Sequence, residues 1–316
     1  MKVDLFDFDL PPDAIAQSPL HPRDLARLLV IAGDEMEDRG VRDLPGLLAP
    51  GDVMVFNDTR VIPARLFGRV NTAGMEVTLH KQVDGRTWKA FARPAKKLSK
   101  ESRIDFSDGF FATVTEKGDA GEVTLSFNVG DAALMTAIAA HGIMPLPPYI
   151  KREKGGNTHD VDDYQTIFAK NDGAVAAPTA SLHMTEDLMD RLKERGVNVV
   201  MTTLHVGAGT FLPVKADDTA DHVMHAEWGA VSEDAARAVN AAKAAGGRVV
   251  VAGTTALRLL ETAADEGGTL HPFQGETDIF ITPGYTFKIV DMLMTNFTCR
   301  NQPCSCWCPP SQVLMS

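Results

Sequence analysis

Hydrophobic positions in the second half of the chain alternate between strand-like runs and helix-like spacing. Val197–Thr203 is a β-branched run that predicts one buried strand. The helix before it is expected to begin after Thr185, a good N-cap residue, and to end at Gly196. The elements predicted further along are a helix over Ser232–Ala245, a strand over Arg248–Ala252, a helix after Thr255 ending near Gly267, and a strand over Thr277–Ile281. This order predicts an α/β domain.

Between residues 61 and 127 the pattern changes to short runs of alternating or β-branched residues. The runs are Met75–His80, Thr87–Ala92, Phe111–Thr115 and Glu122–Phe127. Turn signals such as Asp84-Gly85 and Asp108-Gly109 separate them. This spacing predicts a small all-β unit, in the form of a barrel.

A helix is predicted to follow the all-β unit, capped by Asp131 and ending at Gly142. The proline-rich segment Met144–Ile150 cannot be helical and is interpreted as an extended linker that returns the chain. Before the all-β unit, the only strand predicted in residues 1–56 is Val53–Phe56. We therefore expect an α/β catalytic domain made of residues 1–60 and 151–316, with residues 61–150 inserted into it as a β-barrel domain.

The composition fits a folded protein with a sizeable core, since 44% of the 316 residues are hydrophobic. The first ten residues lack the layout of a secretion signal, and no apolar run reaches membrane length. We expect a cytoplasmic protein that does not contact a membrane.

The net charge of −11 is unevenly distributed. Residues 60–103 contain 11 Lys and Arg residues against three acidic ones, which makes this stretch a basic island in an acidic protein. Such an island suits a local contact with a polyanion, although a solvated strand-rich surface has the same composition. Its densest part is a proline-stiffened loop, whose Arg93, Lys96, Lys97 and Lys100 suit contact with the phosphates of a polyanion such as RNA.

Two dense groups of polar residues flank the predicted helix and strand around residue 190. Ala177–His183 comes before the helix, and Leu204–Phe211 follows the strand, where α/β sheets build their sites. Gly207 and Gly209 resemble the start of a dinucleotide-binding loop. However, the third glycine is missing and Pro213 stands where the phosphate-binding helix should begin. A tight loop that brings backbone N–H groups to a ligand is the better interpretation.

Four further motifs have both a functional and an ordinary explanation. His222, His225 and Glu227 suit an acid/base or substrate-binding cluster better than a zinc site, because the spacing is not standard for zinc. Asn57–Arg60 follows a strand and either closes it or forms a hydrogen-bonding site. Gly253–Arg258 opens a helix and either caps it or holds an anionic group. Gly275–Tyr285 places carboxylates where they meet a cationic ligand or only solvent.

Together these motifs resemble the S-adenosylmethionine:tRNA ribosyltransferase-isomerase family of queuosine biosynthesis. The resemblance covers about residues 1–297 in collinear order. It rests on the two central groups and on Phe6–Pro11, Ile15–Gln17, Phe56–Arg65, Phe91–Lys96, His141–Tyr149, Asp163–Thr166, Gly275–Tyr285 and Asn296-Phe297. So many ordered motifs are specific to the family.

The resemblance implies an α/β barrel-like domain with an inserted β-barrel. It also implies transfer and isomerisation of the ribosyl group of S-adenosylmethionine onto 7-aminomethyl-7-deazaguanine in tRNA, with release of adenine and methionine and no metal. The rival interpretations are an S-adenosylmethionine-dependent RNA methyltransferase and a non-catalytic RNA-binding protein. A methyltransferase would release S-adenosylhomocysteine, whereas the ribosyltransferase-isomerase would release adenine. A non-catalytic RNA-binding protein would bind tRNA without consuming S-adenosylmethionine.

The resemblance also gives hypotheses for individual residues. Proton transfer is assigned to His183, His205 and Glu227. The pocket for S-adenosylmethionine and the base is assigned to Asp58, Arg60, Thr179, Gly207, Gly209, Thr210, Thr254, Arg258, Glu276 and Asp278. The chain differs from the usual family pattern at three positions: Ser181 replaces a glycine, Met184 an aromatic residue and Ala256 a serine.

The last 19 residues depart from the family, which continues with an apolar helix. Here all four cysteines fall in the last eighteen residues, spaced by four, one and one residues, which does not suit a single tetrahedral zinc ion. A single-base frameshift after Phe297 explains the segment better. When suitable codons are written for all nineteen residues and one C is restored before them, the shifted frame reads HLPQPALFMLVSALTGSDV, which is the family's missing apolar helix.

Overall fold

A computed structural model describes residues 1–152, 157–207 and 216–297, and the backbone alone of 312–315. Its central sheet contains nine strands. Strands and helices are numbered in chain order. In spatial order they are β15 (Phe273–Thr277), β13 (Glu227–Val231), β12 (Asn198–Leu204), β3 (Val53–Asn57), β14 (Val249–Ala252), β16 (Met292–Thr295), β17 (Gln312–Met315), β1 (Arg27–Ala32) and β2 (Glu35–Gly40). The five strands from β12 to β17 in this order are parallel, and the outer strands pair antiparallel.

Strand β3 shows how the sheet forms two hydrophobic cores. All five of its residues are buried, as expected for a central strand of a parallel sheet. Val53 and Val55 face the core formed with α5 (Glu233–Ala244) and α6 (Thr254–Ala263). Met54 and Phe56 face the opposite core, which α4 (Glu186–Glu194) covers. Side chains that alternate between two covered faces explain why the strand is uniformly apolar.

The all-β unit is a closed barrel of six strands, as the sequence predicts. Its strands are β5 (Arg65–Val70), β6 (Ala73–Gln82), β7 (Thr87–Arg93), β8 (Arg103–Ser107), β9 (Phe110–Lys117) and β10 (Glu122–Phe127). In β7, Trp88, Ala90 and Ala92 point into the barrel and alternate with less buried residues. The helix α2 (Asp131–His141) packs Leu134 and Ile138 against this core.

The chain leaves for the barrel and returns from it at adjacent points. Strands β4 (Thr59–Val61) and β11 (Asn171–Ala174) lie on either side of the barrel in sequence and pair in parallel with each other. Nearer the barrel, Arg65 forms an antiparallel bridge with Ile143. The short helices α1 (Leu44–Leu47) and α3 (Asp160–Asp163) complete the described α-helices.

Of the two predicted helix caps, the one at Thr185 is confirmed. Its hydroxyl accepts a hydrogen bond from the N–H of Leu188. Ser232, predicted as the first residue of a helix, is the N-cap of α5 and accepts from the N–H of Ala235. The prediction for α2 was wrong in detail, because Gly130 rather than Asp131 occupies its N-cap position.

Other predictions in the α/β region were wrong. No strand covers Thr277–Ile281, because β15 ends at Thr277. Beyond that residue the guanidinium of Arg258 binds the carbonyls of Thr277 and Ile279, which takes them away from sheet pairing. Helix α6 ends at Ala263, before the predicted stop near Gly267, and the strands β1, β2 and β16 were missed.

Candidate functional site

The candidate site lies at the carboxyl edge of the parallel strands, where their last residues meet. Polar segments follow four neighbouring strands here: His205 after β12, Asp58 after β3, Gly253 after β14 and Asn296 after β16. In parallel sheets this edge is where binding and catalytic groups collect. Three strand spacings of about 4.8 Å separate β12 from β16, so this row of segments is about 14 Å long.

Asn57 joins the ends of β3 and β12. Its amide NH₂ donates to the carbonyl of Leu204 at 2.9 Å, and its amide oxygen accepts from the N–H groups of Leu204 at 3.0 Å and Thr59 at 3.2 Å. The side chain is fully buried. Leu204 directly precedes His205, and Thr59 contacts the His205 ring. Asn57 therefore holds the backbone of both residues that position His205.

Asp58 is the centre of a buried polar network beside Asn57. One carboxylate oxygen accepts from the hydroxyl of Thr203 at 2.7 Å and from the amide of Asn171 at 3.0 Å. Asn171 also donates to the Thr203 hydroxyl. The network links β12, β11 and the end of β3, and it places a negative charge near His205.

His205 lies against this network and against the indole of Trp228. Its Nδ1 is 2.9 Å from the hydroxyl oxygen of Thr59, and its ring stacks on Trp228 with centroids 5.3 Å apart. Burial lowers the pKa of His205, and the carboxylates of Asp58 and Asp172 partly oppose that change. The imidazole is therefore neutral at pH 7.

The Thr59 hydroxyl has two partners, the carbonyl of Asn171 at 3.4 Å and Nδ1 of His205 at 2.9 Å. When the hydroxyl donates to the carbonyl, its oxygen accepts the Nδ1–H of the imidazole, and Nε2 carries the lone pair. When the hydroxyl donates to Nδ1, the ring proton is on Nε2.

Gly173 allows the close packing of His205. Its φ is +141°, and a Cβ at this position would lie 3.0 Å from the imidazole. A larger residue would therefore displace His205 from its position.

His183 lies near the other end of the edge, in the 3₁₀ turn Thr179–His183. Its Nε2 is 3.0 Å from the side-chain oxygen of Asn296, which follows β16. Burial lowers the pKa of His183; the hydrogen bond with Asn296 opposes this, and the positive charge of Arg23 adds to it. Like His205, it is a neutral imidazole at the edge of the sheet.

Backbone contacts join the two dense groups of the sequence. The N–H groups of Val175 and Ala176 both donate to the carbonyl of Val206. Further along, Ala180 packs close to Gly253 at the start of α6. The segment between residues 175 and 183 thus runs along the edge from the His205 side to the His183 side.

Glu227 and Arg258 form a buried ion pair on the opposite face of β13 from Trp228. One carboxylate oxygen of Glu227 binds the Arg258 guanidinium, and the other accepts from the N–H of Gly207 at 3.1 Å. Both side chains are 7% exposed. Arg258 also binds two backbone carbonyls, so the pair fixes Gly207 to the end of β15.

The remaining candidates for the pocket occupy different places. Glu276 and Asp278 are exposed, and the Glu276 carboxylate pairs with Lys81 of the barrel at 2.6 Å. Arg60 is exposed and donates to the carbonyl of Ala169. Thr179 begins the 3₁₀ turn, and Thr254 begins α6. The candidates Gly209 and Thr210 lie outside the described residues.

Much of the basic island is neutralised within the protein. Lys81, Lys89, Arg65 and Arg103 form ion pairs with nearby carboxylates. In contrast, the loop residues Arg93, Lys96, Lys97 and Lys100 are exposed, and within the described part of the chain they have no ion-pair partner. The positive charge available to a polyanion is therefore concentrated on this loop.

Some site residues were missed by the sequence analysis. Asn171, Thr203 and Trp228 belong to the site, but in the sequence they look like an ordinary turn residue, a strand residue and a strand aromatic. Trp228 can be assigned to the site only from the register of β13 against β12, because this register places its indole beside His205.

Neither a metal cluster nor a membrane helix is found in the described residues. No group of three or more His, Cys, Asp or Glu side chains there is arranged to hold a metal ion. In the same ranges, no helix is long and apolar enough to cross a bilayer.

Comparison with known proteins identifies the family. A model of the queuosine biosynthesis protein family matches residues 3–306. This chain belongs to that family. The S-adenosylmethionine:tRNA ribosyltransferase-isomerase of Rhodospirillum rubrum is 60% identical over 297 residues, which cover 94% of this chain and 86% of that protein. The enzyme of the same name from Parvibaculum lavamentivorans is 57% identical over 303 residues, with 94% and 87% covered.

A solved structure supports the family membership. The crystal structure of the S-adenosylmethionine tRNA ribosyltransferase of Thermotoga maritima is 27% identical and matches with a TM-score of 0.51, covering 98% of this chain and 99% of that one. The mixed α/β architecture with an all-β barrel is therefore that of the family, as the sequence predicts. The frameshift predicted after Phe297 concerns residues 298–316, whose side chains lie outside the described part of the structure.

Proposed function

We propose that this chain is an S-adenosylmethionine:tRNA ribosyltransferase-isomerase. It would transfer and isomerise the ribosyl group of S-adenosylmethionine onto 7-aminomethyl-7-deazaguanine in tRNA, giving epoxyqueuosine with release of adenine and methionine. Relatives with that name, 53–60% identical over most of their length, support the activity. The observation that carries the proposal is the neutral, oriented imidazole of His205 at the carboxyl edge of the sheet.

The reaction needs a base at its first step. The sulfonium of S-adenosylmethionine acidifies the adjacent 5′ hydrogens, so removal of one starts the elimination of adenine. We assign this role to Nε2 of His205, in the tautomer whose Nδ1–H donates to Thr59, and burial keeps the ring neutral. The Asp58 charge then stabilises the imidazolium that forms.

The second histidine lies towards the other end of the edge, where we place adenine. His183 is held by Asn296 about 14 Å along the sheet edge from the His205 side, a separation given by three strand spacings. Its Nε2–H donates to the Asn296 side-chain oxygen, so its Nδ1 is left to accept a hydrogen bond from the exocyclic amine of adenine. Arg23 adds positive charge beside it, which stabilises the negative charge that the leaving base gains. We therefore assign His183 to the adenine end of the pocket.

The geometry supports a positioning role for Glu227 rather than proton transfer. Both of its carboxylate oxygens are engaged, one by Arg258 and one by the N–H of Gly207. A carboxylate held in this way is a poor proton carrier but a good support for the backbone at Gly207.

The other proposals concern tRNA and the domains. Residues 61–150 would act as an inserted unit that presents the loop of Arg93, Lys96, Lys97 and Lys100 to the tRNA backbone. Residues 1–60 and 151–316 would form the catalytic domain. The exposed and unneutralised charges of the loop support this division of roles. We further propose that the enzyme acts in the cytoplasm.

One incubation tests the proposed function. The full chain is mixed with S-adenosylmethionine and tRNA carrying the aminomethyl precursor, and nucleosides and small products are measured by mass spectrometry. Epoxyqueuosine should appear with equal amounts of adenine and methionine. S-Adenosylhomocysteine with a methylated nucleoside would refute the proposal, and so would no turnover of either substrate by both this chain and a version that carries HLPQPALFMLVSALTGSDV after Phe297. His205→Gln should reduce turnover strongly, whereas Glu194→Gln, a change on the exposed face of α4, should not.

A further inference from the structure

Four side chains form a row across the antiparallel end of the central sheet. The N–H of His205 donates to the carbonyl of Trp228, and Trp228 is the register partner of Glu276. Residues directly opposite each other on adjacent strands project from the same face, with Cβ atoms about 5 Å apart. Lys81 of the barrel extends the row by its 2.6 Å contact with Glu276. An imidazole, an indole, a carboxylate and an ammonium group thus follow one another.

The row is open to solvent, unlike the opposite face of the same strands. Trp228 is 37% exposed, and the Glu276 and Lys81 side chains are 48% and 44% exposed. On the opposite face, the neighbouring residue Glu227 is buried against Arg258. Among the described residues Trp228 stacks on one ring, that of His205, and a large, partly exposed aromatic ring of this kind is a suitable surface for a planar ligand.

We propose that Trp228, Glu276 and Lys81 form the subsite for the guanine-type base of the tRNA substrate. This inference rests on the proposed function and adds which residues recognise the acceptor base. The indole would stack on the base. The Glu276 carboxylate would accept from the N1–H and the exocyclic amine, and the Lys81 ammonium would donate to the O6 oxygen.

The order of charges favours this base over adenine. A guanine-type edge presents an acceptor at O6 followed by two donors, which matches an ammonium followed by a carboxylate. Adenine presents an amine donor at the corresponding position and then an acceptor, which would face the same two groups with the wrong polarity. Within the described residues only one Glu276 oxygen has a partner, Lys81, so the other remains able to accept.

The position of the row suits a base that must meet the ribosyl group. His205, the proposed base for the first step, is stacked on Trp228. The barrel strand that contributes Lys81 also approaches the site at His80, whose carbonyl oxygen would be 3.2 Å from a Cβ at Gly207. The subsite therefore lies where the barrel meets the α/β sheet, beside the proposed reaction centre.

Steady-state kinetics with four variants test the inference. Trp228→Ala should raise the KM for precursor tRNA about 10- to 100-fold, the range expected for loss of one base stack, while the KM for S-adenosylmethionine changes less than about twofold. Trp228→Phe should retain most of the stacking and lie within about fivefold of the wild type. Glu276→Gln should raise the KM for tRNA as well, because its amide places a donor opposite a donor. Glu194→Gln is the matched control, and thermal melting checks that each variant folds.

A charge swap separates recognition from a structural salt bridge. The double variant Lys81→Glu, Glu276→Lys keeps the ion pair but reverses the order of donor and acceptors. If the pair recognises the base, the swap should not restore the KM for tRNA. Restoration by the swap would overturn the inference. The inference would also be overturned if the variants weakened the affinity for S-adenosylmethionine and left the KM for tRNA unchanged. Trp228, Glu276 and Lys81 would then bind the adenine of S-adenosylmethionine.

Direct binding keeps the inference testable without turnover. Free 7-aminomethyl-7-deazaguanine should quench the tryptophan fluorescence of the wild-type protein, and Trp228→Phe should remove that quenching. If the wild type produces no epoxyqueuosine but still shows this quenching, the proposed function fails while the subsite stands. If turnover is normal and the base neither quenches nor competes with tRNA, the subsite is wrong and the function stands.

Discussion

Replacing Asn57 by alanine should destabilise the protein and disable the site together. The amide makes three hydrogen bonds with buried backbone groups of Leu204 and Thr59. Alanine leaves two N–H groups and one carbonyl without partners, each at a cost of about 1–3 kcal/mol. Since the backbone can relax partly, we expect a loss of about 4 kcal/mol in the free energy of unfolding. For a chain of this size, that corresponds to a fall in Tm of about 8 °C.

The same change should reduce turnover more than the stability loss explains. Leu204 and Thr59 hold His205 from two directions, and a displacement of about 1 Å at a catalytic group can reduce the rate about 100-fold. Urea unfolding measures the first effect, and kcat at a temperature well below the Tm measures the second. Asn198→Ala, at the exposed start of β12, should stay within about 0.5 kcal/mol of the wild type.

The aspartate variant sharpens this prediction. Asn57→Asp still accepts from the two N–H groups but places a negative charge against the carbonyl of Leu204. Its stability should therefore recover partly at low pH, where the protonated carboxyl can donate. If Asn57→Ala loses less than about 1 kcal/mol and turns over normally, the proposed coupling of β3 and β12 through this amide is incorrect.

Three further predictions concern other parts of the molecule. The kcat–pH profile should rise through a pKa below the usual histidine value of about 6.5 and stay flat above pH 7, because burial lowers the pKa of His205. A rise centred above about pH 6.5 would contradict the role of His205 as the base. The double variant Lys96→Ala, Lys97→Ala should weaken tRNA binding and reduce the slope of log K against log salt by about 1.5, and an unchanged slope would place the contact elsewhere. Glu261→Gln should lower the free energy of unfolding by about 3 kcal/mol in urea titrations, because this fully buried carboxylate accepts from three backbone N–H groups and Tyr285; a loss under 1 kcal/mol would show that these bonds contribute little.

The sequence predicts those parts of the fold that depend on local patterns. Thr185 carries a cap signal within one helical turn, and it acts as the cap of α4. The barrel strands alternate because one face of each is buried. The missed hairpin β1–β2 is largely exposed and polar in its second strand, so it has no alternation to detect. The incorrect strand after Thr277 is apolar, but a buried arginine from α6 takes its carbonyls, and no local pattern records a contact across 19 to 21 residues.

The site was predictable where its residues are adjacent in sequence and not where register brings them together. Asn57, Asp58 and Thr59 form one motif that stands out after a strand. Trp228 joins His205 only because β13 runs antiparallel to β12 with a particular pairing. Likewise, Arg258 was expected to face a ligand, but its partner is Glu227, 31 residues away.

The bridge between Arg65 and Ile143 brings the two ends of the proposed inserted unit together. The two residues are direct antiparallel partners, so their Cα atoms are about 5 Å apart, a gap that a two- or three-residue turn can close. A barrel from a relative exchanged at this junction would need to keep the Lys81 contact with Glu276 on the sheet. Such chimaeras would test whether the proposed tRNA contact moves with the barrel.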